Sequence, residues 1–235
     1  MGKVIAVTGA SRGIGAAIAA ELVRRGFTVG SLTRKAVGVD GTLPIACDVE
    51  DEESLKRAFT ILADQAGRID GLVNNAGIHL YGKSAQLATA QYEQVMNTNA
   101  RSVFLGCREI YPYLEKSGGT IVNIGSFFDK LGVKQNLSYC ASKAAVGAIT
   151  RCLAVEWAAK RIRVLDVAPG YIETELNAEA MRKGPLRAFL EARVPTGGPG
   201  TVADVARLVG ALLSEDIPFL TGETIYVDGG QGMAH

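Results

Sequence analysis

Two hydrophobic periods take turns along the chain. Short unbroken apolar runs give way to stretches in which apolar residues return every three or four positions, and the exchange repeats to the C-terminus. Val4–Thr8 is the first run, and an Ala-rich helix follows over Gly13–Gly26. Phe27–Thr33 and Leu43–Cys47 read as the second and third strands. Asp51–Ala66 sets Leu55, Ala58, Phe59 and Leu62 on one helical face, with Asp51 placed to cap it and Ser54 in its first turn. Gly71–Asn74 is a short fourth strand. Thr89–Ser117 is a long helical region, read as two helices or one bent helix. Thr120–Gly125 is a fifth strand, Ser138–Lys160 a further long helix, and Ile162–Val167 a sixth strand stopped by Pro169-Gly170. Thr201–Ser214 is an amphipathic helix with Thr201 at its cap, and Glu223–Val227 is the last strand, closed by Asp228-Gly229-Gly230.

Strands that are apolar throughout, separated by helices, belong in a parallel sheet covered on both faces. Right-handed crossovers make such a sheet doubly wound. The expected fold is therefore α/β, one domain over residues 1–235. Residues 171–200 break the alternation, carry Gly184-Pro185 and Gly197-Gly198-Pro199-Gly200, and follow the carboxyl end of a strand. Ligands of open α/β sheets bind at that end, so this segment is expected to act as a substrate lid.

Charge narrows the partners. With 25 basic and 24 acidic residues the net charge is +1, and no basic field suits nucleic acid. Cys47, Cys107, Cys140 and Cys152 form no C-x-x-C pair and read as buried or partly buried thiols of a reducing compartment. The chain enters its first strand within two residues, leaving no room for a signal peptide, and no apolar run is long enough for a bilayer. A soluble, cytoplasmic protein is expected. His79 and His235 are the only histidines, too few for a metal set or a hydrolase triad.

The chemistry begins where β-type sequence turns into helix. Gly9, Gly13 and Gly15 sit between Val4–Thr8 and the Ala-rich helix, the arrangement that holds a dinucleotide pyrophosphate on a helix N-terminus. Tyr139 and Lys143, four apart, share a helix face. Moving a phenol from its free pKa of about 10 to about 7 requires roughly 4 kcal/mol. One ammonium about 4 Å away at an effective dielectric near 20 supplies about that amount.

The spacing Thr8-Gly9-x-x-x-Gly13-x-Gly15 resembles the short-chain dehydrogenase/reductase family. Further segments fit that family in order: Asp48, Asn74-Asn75-Ala76-Gly77, Asn99, Ser126, Tyr139-x-x-x-Lys143, and Pro169-Gly170 with Thr174. The resemblance runs from Lys3 to about Gly230 and implies a Rossmann domain with a seven-stranded parallel sheet in the order 3-2-1-4-5-6-7. It also implies a nicotinamide dinucleotide, with Gly9, Ser11, Arg12, Gly13, Ile14 and Gly15 at the pyrophosphate. Thr33 and Arg34 belong to the adenosine ribose, Asp48 and Val49 to the adenine. Asn75, Ala76 and Gly77 line the same path. Tyr139, Lys143, Pro169, Gly170, Ile172 and Thr174 lie towards the nicotinamide. The implied catalytic set is Asn99, Ser126, Tyr139 and Lys143: Tyr139 as acid and base, Ser126 on the substrate oxygen, Lys143 on the nicotinamide ribose, and Asn99 ordering a water for a proton relay.

The end of the second strand, Ser31-Leu32-Thr33-Arg34-Lys35, lacks the carboxylate that an NAD site uses. Arg12 and Arg34 are placed to clamp a 2′-phosphate, so NADP(H) is expected ahead of NAD. His79, Ser126, Phe127, Phe128, Tyr139 and Tyr171 are expected to form the substrate pocket, with an apolar or aromatic wall. Similarity to 3-oxoacyl-carrier-protein reductases is clear in Thr8–Gly15 and Arg163–Thr174. It fails after Ile78-His79-Leu80-Tyr81-Gly82, where an Arg-Met pattern is missing, and at Pro195-Thr196-Gly197-Gly198, which lacks the arginine after the proline. A small ketone or secondary alcohol is thus preferred to a carrier-bound substrate, although Lys130 and Lys134 keep the carrier alternative open. A non-catalytic NADP sensor is the alternative of another class, and the retained Ser, Tyr and Lys speak against it. The resemblance further implies a homotetramer, through the helices of Thr89–Ser117 and Ser138–Lys160, with Ala144, Ala145, Gly147 and Ala148 allowing close approach and Asp228–His235 helping a second interface.

Overall fold

The computed structural model describes residues 2–233, so His235 and the end of the Asp228–His235 stretch lie outside the described residues. In chain order the elements are β1 (Val4–Thr8), α1 (Gly13–Arg24), β2 (Thr28–Thr33), β3 (Leu43–Ala46), α2 (Glu52–Ala66), β4 (Gly71–Asn74), α3 (Thr89–Met96) and α4 (Ser102–Leu114). They continue with β5 (Gly119–Ile124), α5 (Leu137–Trp157), β6 (Ile162–Pro169), β7 (Ile172–Glu173), α6 (Ala178–Arg182), α7 (Pro185–Arg193), β8 (Gly200–Thr201), α8 (Val202–Ser214) and β9 (Thr224–Val227). The main sheet has seven strands in the order β3-β2-β1-β4-β5-β6-β9, all parallel. This is the expected Rossmann order. Its seventh strand is β9 only because the two-residue strands β7 and β8 intervene in sequence and pair with each other.

Strand residues divide by parity between two cores, as a pleated sheet requires. Val4, Ala6, Leu72, Ile121 and Val164 face α2, α4 and α5, against Phe59, Leu62, Ile110 and Trp157. Ile5, Val7, Val73, Val122 and Leu165 face α1 and α8, against Ile18, Leu22, Val209 and Leu213. Helices cover both faces, so the central strands β1, β4, β5 and β6 are buried nearly throughout and mostly apolar. The expected caps are present. The Asp51 carboxylate accepts from the Glu53 N–H at 3.0 Å, and Thr201 forms a reciprocal capping box with Asp204.

Two regions differ from the sequence pattern. The long helical region is two α-helices, one of the two readings its spacing allowed, and the join between α3 and α4 is a π-turn over Asn97–Arg101 that the apolar pattern did not reveal. Residues 171–200 are more regular than their glycines suggest: α6 and α7 enclose a small core of Met181, Leu190 and Val194, and the β7–β8 ladder ties the ends of the segment together. Of the cysteines, Cys47 and Cys107 are buried and their thiols are pushed up to about 12 by burial. Cys152 departs from expectation and is exposed, because it lies on the outward face of α5. Among the described residues no helix is long and apolar enough to cross a membrane.

Candidate active site

The carboxyl ends of β1, β2, β3 and β4 open into a cleft of about 380 Å³. Its floor is the glycine turn. Gly9 has φ +66°, and a Cβ there would lie 2.9 Å from Ala76 Cα. At Gly15 a Cβ would lie 2.3 Å from Asn75 Nδ2 and 2.4 Å from the Gly9 oxygen. The turn closes only with glycine at both places. Asn75 staples it, donating to the Thr8 and Gly9 carbonyls at 3.0 and 3.2 Å. Arg12 precedes α1 as its N-cap residue without a side-chain cap bond, and no acidic residue lies in the first turn. The leading N–H groups and the positive end of the helix dipole are thereby left to face the cleft, which suits a phosphate.

The cleft wall carries Ser11, Arg12, Gly13, Ile14, Thr33, Arg34, Asp48, Val49, Asn75, Ala76, Gly77 and Thr174, all expected from the sequence. Arg12 and Arg34 are exposed, and among the described residues neither makes an ion pair. Thr33 is buried, its hydroxyl donating to the Val37 carbonyl and accepting from the Val37 N–H at 2.9 Å each. Asp48 keeps one carboxylate oxygen on the Glu50 N–H at 3.0 Å. Pro169, Gly170 and Ile172 are not part of this wall. Gly170 packs on Asp228, where a Cβ would meet Asp228 Cα at 2.7 Å, and Ile172 is buried in β7. The residues present fit a dinucleotide: a glycine cradle, free helix N–H groups and unpaired guanidinium groups converge on one cleft.

Beyond the glycine turn, α5 brings Tyr139 and Lys143 onto one face beneath Ser126. Lys143 is buried, and its Nζ donates to the Ile124 carbonyl at 2.7 Å while lying 5.7 Å from the Tyr139 ring centroid. Ser126 caps the short turn Phe127–Asp129, accepting from the Phe128 N–H at 3.2 Å. The electrostatics differ from the sequence expectation. Burial pushes the Tyr139 phenol above its ordinary value, and the Ser126 hydroxyl only partly offsets this. Counting the Lys143 charge alone omitted desolvation, which here is the larger effect. Burial also lowers Lys143, to about 8, against the pull of Asp166.

Asn99 sits in the π-turn and is almost fully buried. Its Oδ1 accepts from the Ile78 N–H at 2.8 Å, and its Nδ2 donates to the Ile78 carbonyl at 2.8 Å and to Ser142 Oγ at 3.1 Å. It therefore fixes the main chain after Gly77 to α5. Aromatic rings surround Tyr139. His79 lies 4.4 Å from it, centroid to centroid, and hydrogen-bonds Asn136 through Nε2. Phe128 meets Tyr139 edge-on at 6.0 Å and Tyr171 at 6.1 Å, while Phe127 meets Tyr171 at 5.4 Å. All six expected pocket residues thus come together.

Residues 9–231 match a family model described as enoyl-(acyl carrier protein) reductase. The 2-(R)-hydroxypropyl-CoM dehydrogenase of Xanthobacter autotrophicus is 36% identical, over 97% of this chain and 98% of that protein. The 3-oxoacyl-[acyl-carrier-protein] reductase MabA of Mycobacterium bovis is 34% identical, over 98% and 93%. A short-chain type dehydrogenase/reductase from Mycobacterium marinum superposes with a TM-score of 0.90 at 31% identity, covering 98% of this chain and 95% of that one. The chain is a short-chain dehydrogenase/reductase. It belongs to a family of oxidoreductases that act on CH–OH and C=O groups and bind a nicotinamide cofactor.

Three side chains of this dehydrogenase/reductase escaped the sequence reading as site residues. The Thr8 hydroxyl accepts from the Asn75 and Ala76 N–H groups at 3.0 and 3.1 Å, holding the ends of β1 and β4 together under the cleft. Ser142 donates to the Tyr139 carbonyl at 2.8 Å and receives Asn99. Asp166 acts on Lys143 from β6. Thr8 stands in the glycine-turn signature itself, and Asp166 is a carboxylate inside a largely apolar run; Ser142 left no signal.

Proposed function

We propose that this enzyme exchanges hydride between NADP(H) and a small ketone or secondary alcohol, with Tyr139 as proton donor and acceptor. The observation that carries this reading is the grouping of Tyr139, Ser126 and buried Lys143 beyond the glycine turn, together with a separate cleft over that turn whose wall presents Arg12 and Arg34, neither of which makes an ion pair among the described residues. The cofactor, when bound, supplies or accepts the hydride. Arg12 and Arg34 hold its 2′-phosphate and the α1 N-terminus its pyrophosphate. Ser126 and Tyr139 bind the substrate oxygen, Tyr139 passing its proton to it in reduction. Lys143 offsets the phenolate charge that this leaves behind, and Asn99 keeps the Ile78 main chain and α5 in register.

The rings of His79, Phe128 and Tyr171 beside Tyr139 favour a substrate with an apolar or aromatic body. Lys130, one of the two lysines that suggested a carrier protein, is engaged within the chain, its Nζ 3.5 Å from the centre of the Tyr226 ring. This supports a free small molecule. A homotetramer in the cytoplasm completes the reading. Phe104 on α4 and Val155 on α5 are exposed apolar side chains on helices suited to pair with another copy.

A panel of ketones and alcohols with NADPH and NADH, followed by the near-ultraviolet absorbance of the reduced nicotinamide, tests the proposal. Turnover with a clear NADPH preference is expected. Binding of cofactor with no turnover of any substrate would reverse it, and an NADH preference would reject the role given to the two arginines. Light scattering that finds a monomer at micromolar concentration rejects the tetramer.

A further inference from the structure

Asp166 has no exposed surface, though it stands in the middle of β6. Strand register sets it in a row with Asn74, Asn123 and Thr224 on β4, β5 and β9. The amides of that row satisfy one another. Asn74 Nδ2 donates to Asn123 Oδ1, and Asn123 Nδ2 to Thr150 Oγ1, each at 2.9 Å. Asp166 stands outside this chain of bonds. Its Oδ2 receives the Thr224 hydroxyl at 3.3 Å, and among the described residues its Oδ1 has no hydrogen-bond partner. A buried carboxylate with an idle oxygen is costly unless a positive charge compensates it.

Two glycines make room for it. A Cβ on Gly125 would lie 2.4 and 2.7 Å from the two carboxylate oxygens, and one on Gly147 would lie 3.9 Å from Oδ2. Gly125 stands between Ile124, whose carbonyl receives Lys143 Nζ, and Ser126. Gly147 lies one helical turn beyond Lys143 on α5. The carboxylate therefore presses on the stretch of main chain that anchors the lysine and carries the serine.

We propose that Asp166 is a positioning residue, the buried counter-charge that keeps Lys143 protonated and seated on the Ile124 carbonyl beside Tyr139. The proposal rests on the reading of Lys143 as the partner of Tyr139. The charged and titratable groups facing Asp166 are Lys143 and Arg151 from α5, Asp129 from the turn after β5, and Tyr226 from β9. Arg151 is exposed, and Tyr226 and Asp129 are bonded to each other at 2.9 and 3.1 Å. Lys143 is the buried cation of this set; it makes no ion pair with the carboxylate within 4.0 Å, and the two are linked through the Ile124–Gly125 main chain, which receives Nζ on one side and abuts the carboxylate on the other. Each opposes what burial does to the other: desolvation raises Asp166 to about 6 while Lys143 holds it down, and desolvation lowers Lys143 to about 8 while Asp166 holds it up.

Asp166→Asn preserves the shape and removes the charge. The alkaline limb of its kcat/KM profile for ketone reduction is expected to move down by about 1 pH unit, since Lys143 then loses its proton earlier. A purely structural role would lower Tm and leave that limb in place, and an unmoved limb overturns the proposal. A second arm needs neither turnover nor a variant. In the wild-type full chain carrying ¹³C-labelled aspartate and lysine, the Asp166 carboxyl resonance should show two inflections, the later one coinciding with deprotonation of Lys143. A single inflection, with the lysine resonance indifferent to it, equally overturns the pairing. Should no carbonyl compound be reduced, the hydride-transfer reading fails while the resonance arm still decides whether the two charges are coupled.

Discussion

The glycine turn and the group around Tyr139 are held together by different physics. At the glycine end the groups left open to the cleft are main-chain N–H groups and exposed guanidinium groups, and the tight contacts are of shape: Gly15 against Asn75, Gly9 against Ala76. At the tyrosine end the decisive groups are side-chain charges taken out of water, Lys143 and Asp166, beside a phenol whose proton burial retains. Shape is set once the chain has folded. Protonation is set by a balance of opposing effects, desolvation against Coulomb attraction and hydrogen bonding. The glycine end should therefore respond to added volume and to loss of surface charge, and the tyrosine end to changes of charge at constant volume.

The largest effect that would sharpen this contrast is on chemistry. Tyr139→Phe removes one oxygen and leaves the ring among His79 and Phe128. Turnover is expected to fall by about 10²–10⁴-fold with the cofactor dissociation constant little altered. Full activity in this variant would remove Tyr139 from the mechanism. At the other end, Gly15→Ala adds one methyl group against the Gly9 carbonyl. A loss of about 1–3 kcal/mol in denaturant unfolding is expected, together with weaker dinucleotide binding. Unchanged stability would mean that the turn is less tightly closed than its distances indicate.

Smaller effects come from the surface charges. Arg12→Ala and Arg34→Ala should each weaken NADPH by about tenfold, on the order of 1.5 kcal/mol for a charge-assisted bond, while leaving NADH nearly unaffected. Equal losses with both cofactors would break the assignment to the 2′-phosphate. The smallest effect is on stability as a function of pH. Asp166 titrates at 3.8 when free and at about 6 in the fold. Between those values the native chain keeps a proton that the unfolded chain has released, so the stability due to this group is whole below pH 4 and fades as pH rises to 6. Asp166→Asn should flatten the difference in Tm across that window by a few degrees, as measured by calorimetry.

The fold and the glycine end were legible in the chain because both rest on local chemistry. Strand parity, helical spacing and the caps at Asp51 and Thr201 are decided by near neighbours. The glycine turn needs only a strand before it and a helix after it. Less could be read of residues 171–200, where α6 and α7 form a small core of their own around Met181 and Leu190. Leu186, Phe189, Leu190 and Val194 do return at helical spacing, but α6 and α7 are short and set among Gly184-Pro185 and Gly197–Gly200, whose turn signals dominate the pattern. The π-turn at Asn97–Arg101 was likewise not predicted, since one extra residue in a helix leaves the apolar pattern almost unchanged.

By itself, the order of residues determined which stretches become strands and helices, which face of each is buried, and that Tyr139 and Lys143 share one side of α5. Tertiary structure alone decided the charge balance around them. Burial is a property of everything packed about a group, and Asp166 comes from a strand more than twenty residues further along the chain. The sign of the shift at Tyr139, the seat of Lys143 on Ile124 and the nearness of Asp166 exist only once β5, β6 and α5 have closed on one another, because desolvation and Coulomb attraction act through space and not along the sequence.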